Sequence, residues 1–287
     1  MTNSESTHPP VLRTWFITGA TSGIGLATAT AALGRGDNVV ATGRSISTLD
    51  SLAAQYPDSL LVAVADVRDE TALHEAVDRA VHAFGRIDVL ATNAAFGIFG
   101  GIEEISGEQW RNIFETNFFG TMNALRAVLP VMRKQQSGHV LLASAHYGQS
   151  SHSGVGSVAA TKHALEGITD SLVEEVAPLG IKVTSFAPGF TATEFLARLD
   201  MGENGNTDYD QTVRATYQAV GAMPAEAFNS AEAVAAALLT VVDSEKPPRR
   251  LATGNTSYTL IKDSLDARLA ELTEWSAVTK NVETYAG

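Results

Sequence analysis

Thr18-Gly19-Ala20-Thr21-Ser22-Gly23-Ile24-Gly25 is the stretch that decides the fold. It closes an apolar run at residues 11–18 (VLRTWFIT) and opens a segment of helical period that reaches about residue 35. Glycines between a strand and a helix permit a tight turn, and they let backbone N–H groups approach a pyrophosphate that the helix N-terminus stabilises. The spacing here is G-x-x-x-G-x-G rather than the more general G-x-G-x-x-G fingerprint, so plain turn geometry is the competing reading.

Outward from this turn, apolar runs of strand length alternate with helical patterns. Further strands fit residues 38–42, 60–64, 87–92, 139–144 and 181–187, with a short one at 250–253. Helical patterns fill 45–55, 69–84, 107–135, 157–178, 229–243 and 257–276. Strict alternation predicts an α/β doubly wound fold of the Rossmann type, a seven-stranded parallel sheet flanked by helices. Ligands of such sheets sit at the carboxyl ends of the strands. The 287 residues suit one large domain, taken as 11–287. Residues 1–10 (MTNSESTHPP) are polar and end in two prolines, which predicts a disordered lead rather than a signal peptide. Residues 189–223 carry weak periodicity with Gly202, Asn204, Gly205 and Asn206, and are expected to form a loop acting as a lid over the substrate.

Composition narrows the function classes. A formal charge of −12 opposes nucleic-acid binding, because phosphate backbones attract basic surfaces. The absence of cysteine excludes a disulfide framework, a thiolate nucleophile, a zinc–thiolate site and an iron–sulfur cluster. No run approaches the roughly 18 apolar residues of a membrane span. A cytoplasmic protein with a small-molecule substrate is expected.

The second strand ends in Ala41-Thr42-Gly43-Arg44. An NAD-binding protein places an acid there for the ribose 2′-hydroxyl, whereas Arg44 suits a 2′-phosphate. A solvated surface charge is the alternative. The residues therefore favour NADP(H) over NAD(H).

TGATSGIG, Asp66-Val67 after the third strand, Asn93-Ala94-Ala95 after the fourth, Asn117 in ETNFFGT, Lys162 in a long helix and Pro188-Gly189 before Thr193 occur in unbroken order. Together they resemble the short-chain dehydrogenase/reductase family over roughly residues 11–195, and more loosely to about 280. The resemblance implies that Gly19, Thr21, Ser22, Gly23, Ile24 and Gly25 cradle the dinucleotide. It implies adenine contacts from Asp66 and Val67, adenosine-side contacts from Asn93 with Ala94 and Ala95 following, and nicotinamide contacts from Pro188, Gly189 and Thr191 or Thr193. It further implies a homo-oligomer, dimer or tetramer, built on the long helices.

The family transfers hydride with a Tyr-x-x-x-Lys pair on one helix face, a serine at the preceding strand end and an assisting asparagine; the lysine lowers the tyrosine's pKa. Here the residue four before Lys162 is Val158, and the serine position thirteen before that is Ala145, with Ser144 one step earlier. Asn117 and Lys162 remain. Lys162 is read first as a ligand of the nicotinamide ribose, and Asn117 alternatively as a stabiliser of a helix kink. Where the family usually has Asn-Asn-Ala-Gly, this chain has Thr92-Asn93-Ala94-Ala95.

His146 and Tyr147 follow the fifth strand and are candidate replacement acids or bases, or else wall residues. His146 and His152 lack a nearby third ligand, so no metal is expected. Phe96, Phe99 and Phe190 suit an apolar pocket. Three functions stay open. The first is an NADP(H)-dependent oxidoreductase acting on an imine, iminium or activated C=C of a specialised metabolite. The second is a non-redox enzyme (cyclase, dehydratase or isomerase), and the third a silent NADP(H)-binding protein.

Overall fold

The computed structural model describes residues 12–281; the lead predicted at 1–10 lies outside them. The first half of the chain runs β1 (Thr14–Thr18), α1 (Gly23–Gly34), β2 (Asn38–Gly43), α2 (Asp50–Gln55), β3 (Leu60–Val64), α3 (Glu70–Phe84), β4 (Val89–Thr92) and the two-residue β5 (Ile98–Phe99). It continues through α4 (Gly107–Phe114), α5 (Gly120–Gln135), β6 (Gly138–Ala143), α6 (Gly156–Val176) and β7 (Ile181–Pro188). The remainder comprises α7 (Glu194–Ala197), β8 (Asp200–Met201), α8 (Ala215–Gly221), α9 (Ala231–Asp243), β9 (Arg250–Thr253), α10 (Asn255–Glu274) and α11 (Ser276–Lys280).

Seven strands form one parallel sheet in the order β3-β2-β1-β4-β6-β7-β9. The doubly wound fold expected from the alternation is the fold observed. Strand side chains alternate between faces. Phe16 therefore lies in register with Val40 and Leu90, and Leu90 with Val140, a row buried under α3, α5 and α6. Ile17 aligns with Ala41 and Ala91, and Ala91 with Leu141, on the opposite face against α1 and α9. That second row is mostly small, and α1 presents Ala29 and Ala32 to it, so helix and sheet approach closely. Successive strands are added leftward from β1 to β3 and rightward from β4 onward, which makes the carboxyl ends of β1 and β4 the topological switch point.

Two sequence expectations change in detail. The helix predicted over 107–135 is interrupted by a π turn at Glu115–Phe119, so α4 and α5 are separate. The segment 189–223 is not a loop: it folds into α7, β8, a 3-10 turn at Thr207–Tyr209, a π turn at Asp210–Arg214 and α8. Elements of one or two turns leave too few apolar repeats to register as periodicity. β8 pairs with β5, Ile98 opposite Asp200 and Phe99 opposite Met201. No helix among the described residues is long and apolar enough to cross a membrane.

Glu104 fastens this segment. Its buried carboxylate accepts from Arg214 Nη1 at 2.8 Å, Asn206 N at 2.7 Å and Gly101 N at 2.6 Å. The Arg214 guanidinium, followed by the two backbone donors, holds the carboxyl down to about 2 from an ordinary 4.5. A carboxylate depressed in the fold stabilises it above the unfolded value and loses that contribution as pH falls through the folded value. Hydrogen-exchange protection of residues 200–214 is therefore expected to decline between about pH 4.5 and about 2. Glu104→Gln is expected to show the same local loss at pH 7; unchanged protection there would remove Glu104 as the fastener.

Candidate active site

The turn after β1 is stitched to strands on both sides. Ala20 N donates to Thr42 O at 3.1 Å, and Asn93 N donates to Thr18 O at 3.2 Å. Gly19 has φ +63°, and a Cβ there would lie 2.7 Å from Ala94 N. A Cβ on Gly25 would lie 2.2 Å from Gly19 O. Backbone contact this close admits only glycine at both positions. Ser22 precedes α1 in an extended conformation and makes no side-chain cap. The first N–H groups of this twelve-residue helix are thus left for a ligand or for water.

These N–H groups open on a cleft of about 540 Å³ that runs across the carboxyl ends of the sheet. All of the positions assigned to a dinucleotide line it. At one end lie Gly19, Thr21, Ser22, Gly23, Ile24 and Gly25, then Arg44, Asp66 and Val67. Asn93, Ala94 and Ala95 follow, and Lys162, Pro188, Gly189, Thr191 and Thr193 close the other end. Arg44 enters no ion pair among the described residues. Asp66 is paired instead to Arg68, 2.7 Å from Nη2, and that hydrogen bond lowers its pKa. Thr191 Oγ1 donates to Gly189 O at 3.1 Å, while Thr193 caps α7 and abuts the space beside Gly23.

α6 presents the face that carries Val158 and Lys162 to the same cleft. Lys162 is buried, and Nζ donates to Ala143 O at 2.6 Å, one bond of the three an ammonium can make. Burial pushes its pKa down to about 8, with Glu166 opposing. Val158, one turn earlier, lines the cleft beside Lys162. The adjacent hydroxyls turn away: Ser157 Oγ donates to Ile98 O at 2.9 Å and Thr161 Oγ1 to Val158 O at 2.8 Å. Ala145 and Ser144 also line the cleft. Ser144 Oγ reaches only Ala145 O, at 3.4 Å.

Asn117 is placed apart from the others. It sits in the π turn, donates to Phe96 O at 2.9 Å and accepts from Phe96 N at 3.0 Å, with Thr161 Oγ1 at 3.3 Å. Its amide is consumed in pinning Phe96, and it is not among the cleft-lining residues. Of the candidate pocket aromatics, Phe96 and Phe190 line the cleft. Phe99 packs edge-on against Tyr217 at 5.1 Å and borders a separate hollow beside Glu104.

His146 and Tyr147 occupy a 3-10 turn directly after β6 and both line the cleft. Pro188 O, 3.2 Å from His146 Nδ1, can only accept, which places the imidazole proton on Nδ1 and leaves buried Nε2 as an acceptor without a partner. Burial pushes the His146 pKa down to about 4, so the ring is neutral at pH 7. The Tyr147 hydroxyl lies 2.9 Å from His152 Nε2. Tyr147, Phe190 and Val158 belong to one apolar cluster that Phe228 also joins. The sequence reading missed the Tyr147–His152 pair, Arg68 on Asp66, and Phe195, Arg198 and Asp200, which the 189–223 segment brings to the cleft. Nothing in their spacing signals these contacts. Among the described residues no three potential ligands cluster as a metal site would require.

The profile of the short chain dehydrogenase family matches residues 13–204. Oxidoreductase BOA17 of Botryotinia fuckeliana is 33% identical over 84% of this chain and 88% of its own length. Human retinol dehydrogenase 8 is 31% identical over 84% of this chain and 81% of its length. Among solved structures, a short-chain dehydrogenase from Streptomyces avermitilis superposes with a TM-score of 0.87 at 36% identity, covering 95% of this chain and all 100% of the other. NADP-bound ElxO shares the fold at TM-score 0.73 and 24% identity, covering 87% of this chain and 100% of its own. The chain belongs to the short-chain dehydrogenase family.

Gly25→Ala is expected to force the turn open, because the added methyl meets Gly19 O at 2.2 Å. Overpacking of this kind costs about 1–3 kcal/mol. A lower melting temperature together with at least a tenfold loss (about 1.4 kcal/mol) of dinucleotide affinity by calorimetric titration is expected. Wild-type affinity in the variant would show that the turn is not the cradle.

Proposed function

We propose that this chain is an NADP(H)-dependent oxidoreductase of small molecules with a non-standard catalytic centre. The observation that carries the reading is the single cleft joining the uncapped N-terminus of α1 and unpaired Arg44 at one end to Lys162 at the other. The α1 turn would hold the pyrophosphate, Arg44 the 2′-phosphate, and the two remaining Lys162 N–H groups the nicotinamide ribose hydroxyls. Pro188, Gly189 and Thr191 or Thr193 would border the nicotinamide amide. When bound, the reduced dinucleotide supplies a hydride.

Val158 and Ala145 stand at the proton-donating positions of the family pattern, and neither can donate. A carbonyl accepting hydride becomes an alkoxide and gains about 10²–10⁴ in rate from a positioned acid. An iminium carbon is already cationic and its reduction yields a neutral amine, while a conjugated C=C spreads charge onto a distant group. Such acceptors fit an end of the cleft walled by Val158, Phe96 and Phe190. The reading includes a cytoplasmic homo-oligomer built on α4, α5 and α6. A second reading, a non-redox isomerase or dehydratase using the same cleft, is favoured by one observation. His146 lines the cleft and its buried Nε2 lone pair has no hydrogen-bond partner among the described residues, leaving it open to a proton from a bound molecule.

Arg44→Asp is expected to weaken NADPH far more than NADH in calorimetric titration; equal losses would deny Arg44 the 2′-phosphate. Restoring Val158→Tyr with Ala145→Ser in a Tyr147→Phe background, which removes the candidate replacement acid, is expected to raise NADPH-dependent reduction of simple aryl ketones by at least about 10², the worth of a positioned acid. No gain despite intact NADPH binding would assign the limitation to pocket shape.

A further inference from the structure

Tyr147 and His152 form a pair that the family's proton machinery does not account for. Tyr147 lines the substrate end of the cleft beside Val158 and Phe190 and is otherwise buried. Its hydroxyl lies 2.9 Å from His152 Nε2, the two rings meeting edge-on with centroids 5.1 Å apart. His152 Nδ1 lies 3.0 Å from Ser153 O. A carbonyl only accepts, so Nδ1 carries a proton, and in the neutral ring Nε2 must accept the Tyr147 O–H. His152 is half-buried in the loop after β6 and meets solvent, whereas Tyr147 faces the cleft. One residue lines the cleft and the other is partly exposed, with a single hydrogen bond between them.

We propose that Tyr147 and His152 are a proton relay that replaces the family's tyrosine, with Tyr147 as the acid facing the substrate and His152 as the group that recharges it. The inference rests on the oxidoreductase reading above and adds to it the source of the proton. It widens the acceptors to those that need one, a ketone or an enone with an aryl group suited to the aromatic wall.

The step balances as follows in the reductive direction. Hydride arrives at the acceptor carbon, and the C=O electron pair moves onto oxygen. The Tyr147 O–H bond breaks toward that oxygen while the Nε2–H bond of protonated His152 breaks toward the tyrosine oxygen. Product alcohol, neutral His152 and an intact Tyr147 phenol remain, and water returns a proton to His152. Neutral His152 accepting from Tyr147 is then the state after delivery, and equally the state ready to take a proton when an alcohol is oxidised. Burial raises the Tyr147 pKa, which disfavours a free phenolate and so favours concerted over stepwise transfer. His146, the other titratable group against Tyr147 at a centroid distance of 3.9 Å, is committed through Nδ1 to Pro188 and cannot serve as the donor.

The test compares two acceptors with NADPH in the full-length protein. Acetophenone needs hydride and a proton; N-methyl-3,4-dihydroisoquinolinium needs hydride alone. Tyr147→Phe is expected to lower the ketone-to-iminium rate ratio by about 10² or more, the worth of a positioned acid. His152→Gln, which keeps an acceptor for the Tyr147 hydroxyl but carries no proton, is expected to lower the same ratio, and His152→Ala to recover part of it with added imidazole. A loss that falls equally on both acceptors overturns the relay and leaves only a packing role. Wild-type reduction of the iminium without the ketone also overturns the relay and leaves the oxidoreductase reading standing. Hydride transfer to neither acceptor removes that reading and the relay with it. Independently of turnover, ¹⁵N NMR of the cofactor-free protein is expected to show His152 Nε2 as a hydrogen-bonded acceptor whose resonance moves in Tyr147→Phe. An unmoved resonance overturns the pair itself.

Discussion

Backbone meets backbone where the turn after β1 crosses the end of β4, and the rest of the cleft depends on that contact. Gly19 leaves no room for a side chain against Ala94, and Gly25 none against Gly19 O. Bonds from Ala20 to Thr42 and from Asn93 to Thr18 tie the turn to the strands on both sides. The consequence is positional: the N-terminus of α1 is carried over the switch point, with its first N–H groups uncapped. α1 is kept there by packing of its small residues on the sheet and by contact with α9 on the same sheet face. A helix end that is neither capped nor buried in protein donors is an anion site in waiting.

α6 supplies the second constraint. Ser157 bonds to Ile98 O, Lys162 to Ala143 O, and Thr161 accepts from Asn117, so the helix cannot rotate without breaking buried hydrogen bonds. Further along, Glu166 accepts from Ser185 at 2.6 Å and from Arg250 at 2.7 Å, which locks the same helix to β7 and β9. Buried polar groups left without partners cost about 1–3 kcal/mol each, so this register is strongly held. The valine at position 158 is therefore aimed at the cleft by the same forces that aim Lys162. Its presence changes the chemistry available there without disturbing the frame.

The segment after β7 completes the end of the cleft that holds Lys162 and Phe190. It reaches the cleft with Phe195, Arg198 and Asp200 and is tied down by the β5–β8 pair and by the ion pair of Glu104 with Arg214. The buried Glu104 carboxylate with its several donors adds to an apolar cluster in which Val213 is buried with Ile98, Phe99 and Ile113, while Leu199, Val220 and Met223 pack against it. The segment expected to be a loop over residues 189–223 is built of short elements instead.

The alternation of apolar runs and helical periods determined the sheet, its parallel sense and the edge at which the cleft opens, because these follow from local period and from short connections. The glycine turn, Arg44 and the four-residue spacing of Val158 and Lys162 were legible for the same reason, each being a local pattern on one element. What packing alone decided lies between elements. Asn117 spends its amide on Phe96, 21 residues away, and Glu104 finds Arg214 at a separation of 110. Phe99 turns from the cleft toward Tyr217, and Tyr147 meets His152 across an irregular loop. Side chains on turns and two-residue strands have no period to read. Their partners are set by how the finished layers meet, which is a property of the tertiary structure.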